Sequence, residues 1–169
     1  MECYYTVFDT RFGWVAIAGS QAGLRRLTLP QETPDKALKL IADLVPQSAA
    51  KASDFSEVIF QLQRYFEGKK VDFSEKLDLQ SATPFQQEVW RLTRSIPHGE
   101  TRTYGWVAAK LGRPKSARGV GQALARNPLP IIIPCHRVVG FGKSLGGFTG
   151  GLEMKSNLLK LELLSHHSL

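Results

Sequence analysis

The chain has two cysteines, Cys3 and Cys135, which stand far apart in its 169 residues. No C-x-x-C occurs, and no matched set of His and Cys spacings could close a four-ligand zinc site. Neither a disulfide scaffold, a structural metal nor a bound cofactor is therefore expected. Long apolar runs are also missing: no stretch approaches the roughly 18 residues that span a bilayer. The opening MECYYTVFDT carries no basic segment followed by an apolar one. The expectation is a cytoplasmic protein with no membrane association. Acidic residues are scarce in one half only. Residues 1–81 hold 10 Lys or Arg against 11 Asp or Glu, a balance of −1, whereas residues 82–169 hold 12 against 4, a balance of +8. Between Arg91 and Arg137 nine basic residues face one acid, Glu100. That asymmetry fits a surface that neutralises phosphates, although a solvated basic face would give the same count.

A hydrophobic content of 43% is enough for a packed core, in one domain or two small ones. The pattern favours two, with a boundary near residue 80: an N-terminal α/β structural domain over 1–80, including a connector, and a C-terminal domain over 81–169. CYYTVF, GWVAIAG with alternation at Trp14, Ala16 and Ala18, and LRRLTLP read as three strands of a small antiparallel sheet. Helices are expected over Lys36–Leu44 and from Asp54, where Asp54 and Glu57 resemble a capping box, Phe55, Ile59, Leu62 and Phe66 share one face, and Gly68 is the stop. VDFSEKLDL then reads as an extended connector or an edge strand. Cys3 is an ordinary strand residue on this reading.

In the second half, Thr83-Pro84-Phe85-Gln86 supplies an N-cap, a proline at the first helical position and a glutamine at the third, which predicts a helix from Pro84 to Ser95. Thr103 can cap a short helix, Tyr104 to Leu111, that Gly112 stops. A second helix runs from Ser116 to Ala125. Two short helices across a tight glycine-containing turn make a helix-turn-helix, with the second in the recognition position. Ala117, Gly119, Gly121 and Ala123 keep that second helix thin, and Arg118 is its long side chain near the N-terminus. Interior glycines cost a helix about 1 kcal/mol each, so two of them point to close approach, either to a neighbouring helix or to a nucleic-acid groove. Trp90 and Trp106 lie at apolar helical positions and read as core, His98 as part of a turn, and His166 and His167 as a frayed end.

Asn127-Pro128 breaks the chain, and Ile131-Ile132-Ile133 reads as a short buried strand that Pro134 ends. Cys135 would then stand at the mouth of a buried element. A thiol nucleophile needs a histidine partner or nearby positive charge. His136 is adjacent, but on an extended segment it would point to the opposite face, so a link would need a turn or a bridging water. A third group, commonly a carboxylate, must orient the imidazole. Glu153 and Glu162 are the acids downstream, and Glu162 falls on a helix from about Leu152 to Leu164 that could pack back on the cysteine.

Pro134-Cys135-His136-Arg137-Val138, preceded by Asn127-Pro128 and a helix that begins at Arg118, and followed by Gly146-Gly147-Phe148-Thr149-Gly150-Gly151-Leu152, closely resembles the O6-alkylguanine-DNA alkyltransferase family. The resemblance runs from about Thr83 to Glu162. It implies an α+β protein with a ribonuclease H-like N-terminal domain and a mostly helical, winged-helix-like C-terminal domain. It also implies irreversible, single-turnover transfer of an alkyl group from O6-alkylguanine, with O4-alkylthymine as a further candidate, in double-stranded DNA. Cys135 would be the alkyl acceptor, and His136 and Glu162 would deprotonate it through a water. Asn127 would fix the turn between recognition helix and active-site segment, Tyr104 would donate to the guanine ring, and Arg118 would fill the gap left by the extruded base. Ala117, Gly121, Val138, Phe148, Thr149 and Lys155 match positions that line or support the substrate pocket. Where Phe148 stands the family commonly has tyrosine, which leaves the substrate range open, and the loop Phe141–Leu145 is of variable type. The implied partner is duplex DNA held through the minor groove by a monomer, with cooperativity along DNA left open. The competing expectation is a non-catalytic binder of alkylated DNA with the same fold.

Overall fold

Thr10 and Gly13 set the first hairpin. The Thr10 hydroxyl donates to Gly13 O at 2.8 Å and accepts from Phe12 N–H at 3.2 Å, and Gly13 takes a φ of 134° that side chains rarely adopt. The strands that flank it are β1 (Cys3–Thr10) and β2 (Gly13–Ser20), and β3 (Gly23–Leu27) follows antiparallel to β2. The computed structural model describes residues 2–45, 48–142 and 144–166, so His167 and Lys143 lie outside the described residues. A short β4 (Ser48–Ala50) pairs parallel to β1, giving the order β3-β2-β1-β4.

The sheet is covered on both sides at its centre. Ala16 and Ala18 pack against Ala37 and Ile41, next to helix α1 (Pro34–Lys39), while Val15 and Ile17 point the other way and are buried as well. Simple alternation along β2 therefore fails. Helix α1 is capped by Thr33, which accepts from Lys36 N–H, and it ends at Lys39 rather than at Leu44. The capping box expected at Asp54 does not form: Ala52–Phe55 is a 3₁₀ turn, and helix α2 (Ser56–Phe66) starts after it with no side-chain cap. Its inward face is Val58, Leu62, Tyr65 and Phe66, with Ile59 only half-buried. Gly68, at φ 88°, ends it. The expected connector runs along the sheet edge, where Leu24 N–H donates to Lys76 O and Asp78 N–H to Leu24 O.

Two compact units make up the chain, Met1–Gln80 and Ser81–Leu169. The second opens with helix α3 (Pro84–Arg94), whose capping box between Thr83 and Gln86 forms with Pro84 at the start, as its sequence predicts. Strand β5 (Arg102–Thr103) leads directly into helix α4 (Tyr104–Lys110), capped by the Thr103 hydroxyl. Gly112, at φ 72°, turns the chain, and helix α5 (Ala117–Ala125) completes the helix-turn-helix. After a 3₁₀ turn, Cys135–Arg137, strand β6 (Val138–Val139) pairs parallel with β5. That small pairing sets the start of α4 beside the end of the Cys135 segment. Helix α6 (Leu152–His166) closes the unit and continues through His166. No helix among the described residues is long and apolar enough to cross a membrane.

Candidate active site

Asn127 builds the turn that carries Cys135. Its Nδ2 donates to Ile133 O at 2.8 Å and its Oδ1 accepts from Leu129 N–H at 2.9 Å. Ile133 N–H then donates to Leu129 O at 2.8 Å, and Cys135 N–H to Ile133 O at 2.7 Å. The last bond is an inverse γ-turn centred on Pro134, at φ −79° and ψ 65°. The expected strand over Ile131–Ile133 is therefore a buried knot of turns. Three β-branched residues favour a strand by propensity, but prolines at 128, 130 and 134 donate nothing to a ladder, and Asn127 satisfies the backbone in another way. Ile131 sits at φ 76°, a strained conformation for a β-branched residue that costs about 1–3 kcal/mol and is offset by its full burial.

Cys135 opens a 3₁₀ turn, so His136 is rotated from it by about 120° rather than pointing to the opposite face as on an extended segment. His136 is fully buried, and its Nε2 is hydrogen-bonded to Glu162 Oε2. Glu162 collects three more donors: Gly99 N–H at 3.1 Å and Arg137 Nε at 2.8 Å on Oε1, and Arg137 Nη2 at 3.3 Å on Oε2. Arg137 also donates from Nη1 to Ile96 O at 2.7 Å. Burial alone would raise the Glu162 carboxyl, but hydrogen bonds and charges from His136 and Arg137 hold it well below the usual range. Burial pushes the His136 imidazole down from 6.5, against the pull of Glu162. The pair is thus a carboxylate and a neutral imidazole. An ionised carboxylate only accepts, so Nε2 carries the proton and Nδ1 the lone pair.

Burial likewise raises the Cys135 thiol, only partly countered by the Asn127 side chain and the charge of Lys155. Lys155 is the second buried charge on α6. Its ammonium donates to the carbonyls of Val138 at 2.7 Å, Gly147 at 3.0 Å and Leu145, and stands 3.4 Å from the Tyr104 hydroxyl. Burial lowers it to about 8, so three acceptors still hold a protonated amine at neutral pH. Tyr104 Oη donates to Gly147 O at 3.3 Å, and burial raises its pKa, which keeps it a proton donor. Gly146, at φ 74°, lies against the Tyr104 ring so closely that a Cβ there would stand 2.5 Å from it.

Above Cys135 opens a cavity of about 700 Å³, in the range of small-ligand sites. Tyr104, Phe148 and Gly147 form one wall, and the outward face of α5, Ala117, Arg118, Gly121 and Gln122, forms the other. Arg118 is exposed on this rim, and Thr149 ties the Phe148 side to α5 by donating to Ala125 O at 2.9 Å. Val138 is buried and contributes its carbonyl to Lys155. The two glycines of α5 divide: Gly121 faces Tyr104 in the cavity, whereas Gly119 faces Phe85 of α3. In both places a Cβ would fit at ordinary contact, 3.8 and 3.5 Å away, so helix packing alone does not require them.

Comparison with known proteins matches residues 84–164 to the DNA-binding domain of 6-O-methylguanine DNA methyltransferase and residues 3–79 to its ribonuclease-like domain. The methylated-DNA–protein-cysteine methyltransferase of Methanosarcina acetivorans is 42% identical over 94% of this chain and 97% of its own. The constitutive methylated-DNA–protein-cysteine methyltransferase of Bacillus subtilis is 40% identical over 96% of this chain and 97% of its own. The chain belongs to the 6-O-methylguanine DNA methyltransferase family. The crystal structure of Mycobacterium tuberculosis OGT in complex with DNA superposes with a TM-score of 0.81 at 37% identity, covering 96% of this chain and 94% of that one. The α+β architecture of a ribonuclease-like unit followed by a mostly helical one is that of the family.

Within this 6-O-methylguanine DNA methyltransferase family member, the site also draws on residues that sequence reasoning gave no role. Arg137 fixes Glu162 by donating to both carboxylate oxygens, sharing Oε2 with His136. The signal was its place inside a buried segment, where an unpaired guanidinium would be costly. His98, read as a turn residue, is buried and bonded to the Ser165 hydroxyl at 2.5 Å. Trp90 is core as expected, its Nε1 donating to Ala123 O at 2.9 Å, but Trp106 is only half-buried, with Arg102 and Lys110 over its ring. Cys3 is buried in β1, where Arg25 Nη1 donates to its sulfur at 2.9 Å.

Proposed function

We propose that this protein repairs alkylated DNA by taking the alkyl group of O6-alkylguanine onto Cys135, once per molecule. The observation that carries this reading is one thiol, backed by a neutral imidazole and a carboxylate, at the floor of a cavity walled by the recognition helix. The thiol is raised and the imidazole lowered, so the resting pair is uncharged. Proton removal therefore accompanies transfer. The Cys135 proton passes to His136 Nδ1, directly or through a water, as Sγ bonds the alkyl carbon and the bond from that carbon to O6 breaks. Glu162 stabilises the imidazolium that results, and Arg137 keeps Glu162 ionised. The departing guanine takes a proton from the Tyr104 hydroxyl, which recovers one from the Lys155 ammonium 3.4 Å away. A thioether has no easy way back, so each chain acts once.

Duplex DNA is the substrate, engaged through the minor groove by α5. A base inside the helix is out of reach, so it must be extruded at a cost of a few kcal/mol, and a side chain that fills the gap offsets part of this. Arg118 has the length, the charge and the rim position for that task. Ala117 and Gly121 keep the helix slim where the groove, about 6 Å wide, must accept it. Phe148 offers the base or its alkyl group an apolar wall, and O4-alkylthymine, which carries the same kind of O-alkyl group, is a second substrate. One chain carries the whole pocket, which suits action as a monomer. A purely binding role is disfavoured, because Cys135 is present next to the buried His136–Glu162 pair and the relatives are methyltransferases by name. Mixing the protein with duplex carrying one O6-methylguanine per molecule should restore guanine in a single burst equal to the protein present. Arg118→Ala should slow that burst far more than it slows reaction with the free modified base. Equal slowing on both substrates contradicts the extrusion role.

A further inference from the structure

Helix α5, with the sequence ARGVGQALA, carries two long polar side chains, Arg118 and Gln122, and both border the cavity above Cys135. Four residues apart, they lie on one face, one turn from each other. Val120, Ala123 and Leu124 point inward, and the outward positions around the pair are Ala117, Gly121 and Ala125. The exposed Gln122 amide is thus the one uncharged hydrogen-bonding side chain this helix offers to whatever lies along it.

We propose that Gln122 is a second DNA-contact residue, one that hydrogen-bonds the minor-groove edge of a base pair beside the extruded nucleotide. The proposal rests on the alkyl-transfer reading of the pocket and on Arg118 filling the gap. Four helical residues rise about 6 Å, and base pairs stack about 3.4 Å apart. With Arg118 in the gap, Gln122 therefore reaches a pair no more than two steps away. Every base pair presents purine N3 and pyrimidine O2 acceptors in this groove, and a G·C pair adds the guanine N2 amino donor. An amide suits that pattern because it both donates and accepts. Its Nε2 finds an acceptor at any pair, so contact survives in every sequence context, and its Oε1 gains a second bond at guanine. An arginine could not accept, and a glutamate would bring a negative charge towards the phosphates. Gln122 therefore contributes binding that tolerates any sequence with a modest preference for a neighbouring G·C pair.

The test uses the full chain and duplexes with one O6-methylguanine, in which purines one or two pairs to either side are altered singly. Replacing adenine by 3-deazaadenine removes the N3 acceptor, and replacing guanine by inosine removes the N2 amino group. At limiting protein, wild type should transfer roughly three- to tenfold more slowly on the 3-deazaadenine duplex at one of these positions, the size of one lost hydrogen bond. Inosine should slow it by a smaller factor. Gln122→Ala and Gln122→Met should be slower on the unaltered duplex and show no further loss on either altered one, with thermal midpoints matching wild type as the check on folding. If wild type ignores every alteration, or the variants lose the same factor as wild type, the Gln122 contact is wrong while alkyl transfer stands. If wild type transfers nothing from any duplex, the alkyl-transfer reading fails and this inference with it.

Discussion

Cys135 gains nothing from burial as a nucleophile, since a desolvated thiol holds its proton more tightly. On the proposed mechanism the answer is a base that is also buried and neutral, so that the proton moves between two groups uncharged at rest. This sets the pH dependence. His136 is active only when neutral, and its pKa lies below 6.5. The transfer rate should therefore stay level from pH 7 through 6.5, where Lys155 is also protonated, and fall at lower pH, which stopped reactions from pH 7 downwards would measure. His136→Ala should slow transfer by roughly 10²- to 10⁴-fold, the usual worth of a positioned base. Glu162→Gln removes the carboxylate that fixes the imidazole and also leaves Arg137 as a buried charge without its anion. It should cost about 3–5 kcal/mol of stability as well as activity, measured by urea unfolding.

Helix α6 departs from the usual amphipathic pattern. Its buried stripe is Lys155, Leu158 and Glu162, at 0%, 0% and 1% exposure, while Leu152, Leu163 and Leu164 face solvent. A helix that buries two charges beside one leucine and leaves three leucines exposed is committed to a site rather than to a core. Lys155 pins Val138, which follows the Cys135 turn, to Leu145 and Gly147 of the loop beside the cavity. Lys155→Met should leave these carbonyls unsatisfied and lower stability by about 3 kcal/mol or more. At Gly146 an alanine meets both the positive φ of 74° and the Tyr104 ring. Gly146→Ala should displace Tyr104 and slow transfer more than it lowers the thermal midpoint. Elements with local signals were legible in the sequence: the Thr83–Gln86 capping box, the Thr103 cap, the Gly112 turn and the Pro-Cys-His-Arg segment. Elements decided by distant partners were not. The Ile131–Ile133 run resembled a strand because Asn127's two bonds cannot be seen in a propensity. That a C-terminal helix could bring Glu162 back to the cysteine was legible, but the partners of Arg137 and His98 and the burial of Lys155 depend on how α6 docks, which neither periodicity nor spacing reveals.

The excess charge of the molecule lies in the unit that carries the site, +8 over residues 82–169 against −1 over the rest. Binding to unmodified duplex should therefore weaken steeply with salt, and neutralising a residue that contacts phosphate should lower the slope of log affinity against log salt by about 0.9. Lys115, exposed in the turn between α4 and α5, is the natural choice. Lys115→Ala should reduce the slope without changing the rate at saturating DNA. Stability should also fall in acid. The folded pKa of Glu162 lies below 4.5 and that of His136 below 6.5, so the unfolded chain takes up both protons first. The urea midpoint should decline as pH drops below about 6.5 and further below about 4.5, and Glu162→Gln should remove the lower part of that decline. The central claim, that one cysteine accepts one alkyl group and stops, is tested most directly by intact-mass and peptide analysis after incubation with excess methylated duplex. The account predicts one methyl group per chain, on the peptide holding Cys135, none on Cys3, and none at all in Cys135→Ala. Turnover beyond one equivalent, or methyl found elsewhere than Cys135, contradicts it.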